Sequence, residues 1–231
     1  MSKNIFITGT GTDIGKTFVS GLIVKKLKDS GVTSAYYKAA MSGNSRRSDG
    51  SLIPGDAVFV KEFSGIEQPE ESMCPYIYEN AVSPHLASRI EGDPVDLEVV
   101  KENFVKLTEK YQYITVEGSG GILCPLCFDE RKIMLEDVIK ALDLSCLIVA
   151  DAGLGTINSV VLTADYMKSH GIEVKGIIFN HYHNGDVMEE DNLKMCEYMT
   201  GLKVIACVKD SDKELDIDPE FLKSLYKESK I

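Results

Sequence analysis

The run Asn4-Ile5-Phe6-Ile7-Thr8-Gly9-Thr10-Gly11-Thr12-Asp13-Ile14-Gly15-Lys16-Thr17 decides how the rest of the chain is read. It opens as a short β-like segment, passes through a Gly-rich loop, and ends where Gly-Lys-Thr starts an amphipathic stretch. That is the layout of a phosphate-binding loop, in which backbone N–H groups and a helix N-terminus cradle phosphates. The lysine neutralises the outer phosphate oxygens and the threonine hydroxyl can ligate Mg²⁺. The strict pattern has a glycine six residues before the lysine. Here that position is Thr10 and Gly9 sits one residue further back, so the loop is a variant. Beyond Lys16, the positions Phe18, Val19, Leu22, Ile23 and Leu27 recur at helical spacing, and Gly31 follows as a stop. A strand before and a helix after are the context that separates phosphate binding from a mere glycine turn.

Composition narrows the field. The 231 residues fit one α/β domain, 1–231, with ample length for a core. The start runs directly into a strand without a long apolar segment, so no signal peptide is expected. No stretch approaches the roughly 18 apolar residues a spanning helix needs, so no membrane partner is expected. A net charge of −11 offers no overall field for nucleic acid or an anionic membrane. An acidic protein that takes an anionic nucleotide must rely on local donors and a metal ion. The six cysteines are scattered, and Cys146 and Cys207 lie in apolar segments that read as buried strands. Cys124-Pro125-Leu126-Cys127 is a lone CxxC. His181-Tyr182-His183 could add a second pair, but neither has the spacing of a zinc module. A reduced, cytoplasmic protein is the plain reading.

Short apolar segments alternate with longer helical patterns. Residues 33–38 read as a second strand, and the polar stretch 42–55 as a loop that orders on binding. Leu97, Val100, Phe104, Leu107 and Tyr111 mark an amphipathic helix, with Asp93-Pro94 as its cap and first-turn proline. Further strands end at Glu117, Asp151 and Asn180, and 204–208 is a last one. Such alternation implies a mostly parallel sheet with helices on both faces, the architecture of P-loop NTPases. Ligands sit beyond the carboxyl ends of such strands. The chemistry is therefore expected in segments 9–17, 38–42, 117–121 and 151–158, and at Asn180. Glu117, directly after an apolar strand, is placed like the acidic residue that holds Mg²⁺ in nucleotide hydrolases. The glycines after it let backbone approach a ligand. Lys38 at its strand end can aim a second cation at a transferring phosphoryl group. Asp56 offers a second metal carboxylate. Arg46 and Arg47 read as solvated loop residues.

From its first residues to about Val208, the chain resembles the dethiobiotin synthetase family. The phosphate loop, Tyr37-Lys38-Ala39-Ala40-Met41-Ser42-Gly43, Gly55-Asp56-Ala57, Ser83-Pro84-His85, Val116-Glu117-Gly118-Ser119-Gly120-Gly121, Leu154-Gly155-Thr156-Ile157-Asn158 and Asn180 occur in that family's order. The resemblance implies a ligase of biotin biosynthesis that closes a cyclic urea on 7,8-diaminononanoate, using CO₂, ATP and Mg²⁺. A substrate amine captures CO₂ as a carbamate, which attacks the γ-phosphate to give a carbamic–phosphoric anhydride. The neighbouring amine then closes the ring and expels phosphate. Carried over by position, Lys16, Lys38 and Ser42 are the catalytic residues. Thr12, Asp13, Ile14, Gly15, Lys16, Thr17, Glu117, Gly118 and Asn180 would line the ATP, with Asn180 reading adenine. Lys38, Ser42, Gly118, Leu154, Gly155 and Asn158 would hold the substrate, and Thr17, Asp56 and Glu117 the Mg²⁺. The family works as a homodimer, with segment 155–158 presented to substrate bound on the partner subunit.

Three positions depart from the family pattern. Ala39 follows Lys38 where proline is usual, and position 13 is Asp rather than Glu. The Gly-x-Ile/Leu-Pro turn that assists adenine recognition after the last strand is replaced by Ile205-Ala206-Cys207-Val208-Lys209-Asp210, so weak base selectivity is expected. ATP-dependent partitioning and septum-positioning switches share a variant loop but carry a second lysine near its start. The position five before Lys16 is Gly11.

Overall fold

The computed structural model describes residues 2–230. In chain order the elements begin with β1 (Lys3–Gly9), α1 (Lys16–Asp29), β2 (Ser34–Lys38), β3 (Ala40–Met41), α2 (Gly55–Ser64) and β4 (Tyr76–Ile77). Next come α3 (Pro84–Glu91), α4 (Leu97–Thr108), β5 (Tyr113–Glu117), β6 (Pro125–Phe128), β7 (Lys132–Met134) and α5 (Leu135–Ala141). The last are β8 (Cys146–Asp151), α6 (Thr156–Ser169), β9 (Val174–Asn180), α7 (Val187–Thr200), β10 (Val204–Cys207), α8 (Pro219–Leu225) and β11 (Lys227–Glu228).

The main sheet runs β10-β9-β8-β1-β5-β2, parallel throughout, with β11 added antiparallel at the start of β1. Side chains alternate faces along a strand, and the two faces pack on different helices. Phe6, Val116, Ile148 and Phe179 point into one cluster with Val100 and Phe104 of α4, Val138 of α5 and Val160 of α6. Ile5, Ile7, Leu147, Val149 and Ile178 face the other way, onto Val19, Leu22, Ile23 and Leu27 of α1 and Leu222 and Leu225 of α8. Each fully buried aliphatic side chain contributes roughly 1.5–3 kcal/mol, which explains why the middles of these strands are mostly apolar. Parallel strands buried on both faces read as continuous apolar runs.

Register, more than any single residue, builds the functional edge. Lys38 pairs with Glu117 across β2 and β5, Ile7 pairs with Glu117 across β1 and β5, and Asp151 pairs with Asn180 across β8 and β9. The chain order reverses around β1, with β5 and β2 on one side of it and β8, β9 and β10 on the other. A crevice opens at that switch point.

Several local expectations need correction. The α4 cap is Asp96, whose side chain accepts from the Glu98 N–H (2.9 Å); Asp93-Pro94 lies outside the helix. An Asx acceptor three residues closer satisfies the free N–H groups of the first turn, which Pro94 cannot do from there. The 42–55 segment carries internal order. Arg46 bridges Leu52, Ile53 N–H donates to the Ser45 carbonyl (2.8 Å), and the Asn44 amide ties the segment to the carbonyls of Met41 and Tyr78. Cys207 is half-buried, because β10 is an edge strand.

Candidate active site

The phosphate loop leaves β1 at Gly9 and enters α1 through Gly15, whose φ of 80° lies in the left-handed region. A side chain at Gly15 would place its Cβ 2.1 Å from Asn180 Nδ2, so both conformation and space require glycine. Asp13 also sits at positive φ (59°), a conformation that Asp tolerates better than Glu because its short polar side chain bonds locally. That accounts for the residue at position 13 without any side-chain role. Ile14 turns inward, its Cδ1 filling the space where a Cβ on Gly9 would lie.

Beside this loop, a cleft of about 840 Å³ is lined by Thr12, Lys16, Thr17, Lys38, Ser42 and Asp56, with Glu117, Ser119 and Gly120 on the far wall. Its centre is a charged cluster. Lys38 Nζ donates to Glu117 Oε1 (2.7 Å) and to Asp56 Oδ2 (2.6 Å). Thr17 Oγ1 donates to Glu117 Oε1 (2.9 Å), and the Tyr36 hydroxyl donates to Glu117 Oε2 (3.1 Å). The Glu117 side chain is fully buried, so three donors and strand pairing fix a carboxylate that water does not reach. Burial works against the Lys38 ammonium, but Glu117 and Asp56 outweigh it and hold its pKa above the ordinary lysine value. Asp56 is likewise opposed by burial, yet Lys38 keeps its carboxyl below the usual range. Lys16, bonded to the Gly11 carbonyl (2.8 Å), has its pKa lowered chiefly by burial, which Glu117 partly offsets. Its charge is thus poorly solvated, a state that an arriving anion relieves.

The cluster also suits a divalent cation. Thr17 Oγ1, Asp56 and Glu117 are hard oxygen donors converging on one point, and a cation, the Lys38 ammonium, already lies between the two carboxylates.

Other expected residues fall outside this group. Gly118 faces the core. A Cβ there would come within 2.8 Å of Leu135 and 2.9 Å of Phe6, so its missing side chain serves packing while Ser119 and Gly120 reach the cleft. Leu154 is 92% exposed, Asn158 is exposed, and Gly155 (φ 92°) is the N-cap of α6; none of the three lines the cleft of its own chain. Asn180 is fully buried under the loop, its Nδ2 donating to the Ile14 carbonyl (3.0 Å), while its Oδ1 has no partner among the described residues. Arg46 and Arg47 are exposed and paired with Glu79 and Glu70. Cys127 is buried in β6, whereas Cys124 lines the cleft, with burial pushing its thiol up to about 11.

Sequence reading passed over Tyr36, although strand alternation puts it on the same face as Lys38. It noted Asp151 only as a strand end, and His181 only as a conceivable metal ligand paired with His183.

Comparison with known proteins agrees with this geometry. A family model described as an AAA domain matches residues 3–215. The chain is 47% identical to the ATP-dependent dethiobiotin synthetase BioD of Clostridium novyi (strain NT), covering 100% of this chain and 98% of the relative. It is 50% identical to that of Brachyspira hyodysenteriae, covering 94% and 96%. The MinC:MinD cell division protein complex of Aquifex aeolicus superposes with a TM-score of 0.57 at 15% identity, over 92% of this chain and 83% of that one. At that identity the likeness speaks for the fold alone. Full-length identity near one half, together with the lysine, threonine and carboxylates gathered in one cleft, places the chain in the dethiobiotin synthetase family.

Proposed function

We propose that the chain, as one domain over 1–231, is an ATP- and Mg²⁺-dependent dethiobiotin synthetase acting on 7,8-diaminononanoate and CO₂. The observation that carries this reading is the convergence of Lys16, Thr17, Lys38, Asp56 and Glu117 on one cleft beside the phosphate loop. A carbamate attacking a phosphoryl group asks for positioning and charge neutralisation more than for covalent help. Lys16 and Lys38 supply two ammonium groups on a poorly solvated wall, where each is worth more than in water. Ser42, on the same wall, offers a hydroxyl to the carbamate. Thr17, Asp56 and Glu117 would hold Mg²⁺, which supplies Lewis-acid neutralisation of the phosphate oxygens. The backbone of residues 12–15 would run along the phosphates.

Asn180 would read the base through Oδ1, an acceptor without a partner among the described residues. The ordered segment after β10, where Lys209 N–H is tied to Asp212, lacks the Gly-x-Ile/Leu-Pro turn, so base selectivity is weak. Comparing rates with ATP, CTP and GTP tests this, and a strong preference for ATP overturns it. The substrate carboxylate would meet the start of α6 from the partner subunit of a homodimer. Leu154, Leu162, Val187 and Tyr198, exposed on or beside α6 and α7, supply an apolar surface for such pairing. Light scattering of wild type against Leu162→Glu tests it, with a wild-type monomer as the contrary result. Six unpaired thiols fit a cytoplasmic, reducing setting. Among the described residues, no helix is long and apolar enough to cross a membrane.

The decisive experiment measures phosphate release from MgATP with bicarbonate, with and without 7,8-diaminononanoate. Stimulation by the diamine and a product with the mass of the cyclic urea are expected. Slow hydrolysis indifferent to the diamine overturns the synthetase reading.

A further inference from the structure

His181 stands at φ 55° immediately after β9, in the left-handed region that few residues besides glycine, asparagine, aspartate and histidine adopt. Its ring joins two neighbouring segments. Nδ1 lies 2.7 Å from Asp151 Oδ2, at the end of β8, and Nε2 lies 3.1 Å from Asn180 Nδ2. The same Nδ2 lies 3.0 Å from the Ile14 carbonyl of the phosphate loop. A carbonyl only accepts, so the amide nitrogen must be the group that faces Ile14, and this fixes the rest. Asn180 donates to Nε2, the imidazole is the neutral Nδ1–H tautomer, and it donates in turn to Asp151. The other oxygen of Asp151 accepts from the Gly153 N–H (2.7 Å), in the turn that leads to α6. An unbroken chain therefore runs from the β8–α6 turn through Asp151, His181 and Asn180 to Ile14. It ends one residue before Gly15, at the left-handed turn that aims the loop's N–H groups. Asp210 Oδ1 also faces the ring, 3.7 Å from Nε2.

We propose that His181 is a positioning residue that braces the phosphate loop against the β8–α6 turn and thereby sets affinity for ATP. The inference rests on the ATP-binding part of the reading above. Without the imidazole, the Asn180 amide is free to rotate, and the Ile14 carbonyl loses the donor that holds it. The ring holds the loop through Asn180 and is itself held by Asp151.

The test compares wild type with His181→Asn, because Asn adopts the left-handed conformation readily and so separates the ring from the backbone. The expected result is a rise of about tenfold in both the KM for ATP and the Kd for MgATP by calorimetry, with kcat within about twofold. Thermal stability should stay close to wild type. Asp151→Ala should raise KM similarly, and the double variant should be no worse than the worse single one. An unchanged KM and Kd in His181→Asn overturns the proposal, as does a fall in kcat at constant KM, the signature of a merely structural role. Binding is read without the diamine. A protein that binds MgATP but forms no cyclic urea therefore strikes the synthetase reading and leaves the His181 result to be judged on Kd. Absence of MgATP binding in wild type overturns both.

Discussion

The phosphate loop is flanked by two regions built on opposite principles. On the β2–β5 side stand full charges: one buried lysine shared by two carboxylates, with Thr17 and Tyr36 completing the shell of Glu117. On the β8–β9 side a neutral amide and an imidazole pass hydrogen bonds from Asp151 to the loop itself. The first region is a reservoir of poorly solvated charge, suited to stabilising charge that shifts during phosphoryl transfer. The second carries little net charge into the loop and acts on its shape. Division of labour between electrostatics and geometry is thus written across one sheet edge, with β1 between them.

The comparison breaks most directly at Lys16. Lys16→Ala should lower the rate of cyclic urea formation about a hundredfold or more, on the order of 3 kcal/mol. Its melting temperature should stay near wild type, because among the described residues the Lys16 amine has a single hydrogen-bond partner, the Gly11 carbonyl. Near-normal turnover would remove the charged region from catalysis. Next, Glu117→Gln strips Lys38 of its buried counter-charge. A loss of about 3 kcal/mol in denaturant unfolding is expected, together with a higher Mg²⁺ concentration for half-maximal rate. An unchanged metal dependence would take Glu117 out of the metal set.

A smaller effect is expected from pH. The Asp56 carboxyl is depressed in the folded state, so its contribution is present above the ordinary carboxylate pKa and lost as pH falls through the lower folded value. Lys38 is raised, so its contribution is complete below the ordinary lysine value and lost as pH rises through the higher folded one. Melting temperature should therefore decline below about pH 4 and again above about pH 10.4. Lys38→Met should flatten both limbs; equal slopes in the two proteins would show that the cluster does not contribute to them. Least of all should Arg46→Ala matter. Its pairing with Glu79 is half exposed and outside both regions, so a change within about 0.5 kcal/mol is expected, with no change in KM.

Much of this was legible in the chain because it rests on local pattern. The strand-loop-helix context around Lys16 announced a phosphate loop. The ends of the apolar runs, at Lys38, Glu117, Asp151 and Asn180, are the true strand ends. The α4 cap was misplaced by three residues because Asp93-Pro94 and Asp96 are both capping signals, and only the path of the chain chooses between them. Gly118 looked like a ligand-facing glycine; Phe6 and Leu135, distant in sequence, give it a packing role instead.

By itself the sequence determined the class of fold, the phosphate loop and the set of polar residues at the sheet edge, since periodicity and turn chemistry act over a few residues. Tertiary structure alone decided which of those residues are partners. Thr17 meets Glu117 across 100 positions of sequence, Lys38 meets the same carboxylate across 79, and Asn180 meets Ile14 across 166. Such pairs follow from strand order and register, which no local propensity encodes. The ionisation of Lys38 and the tautomer of His181 follow from those pairs in turn, because a buried group takes its chemistry from the neighbours that replace water.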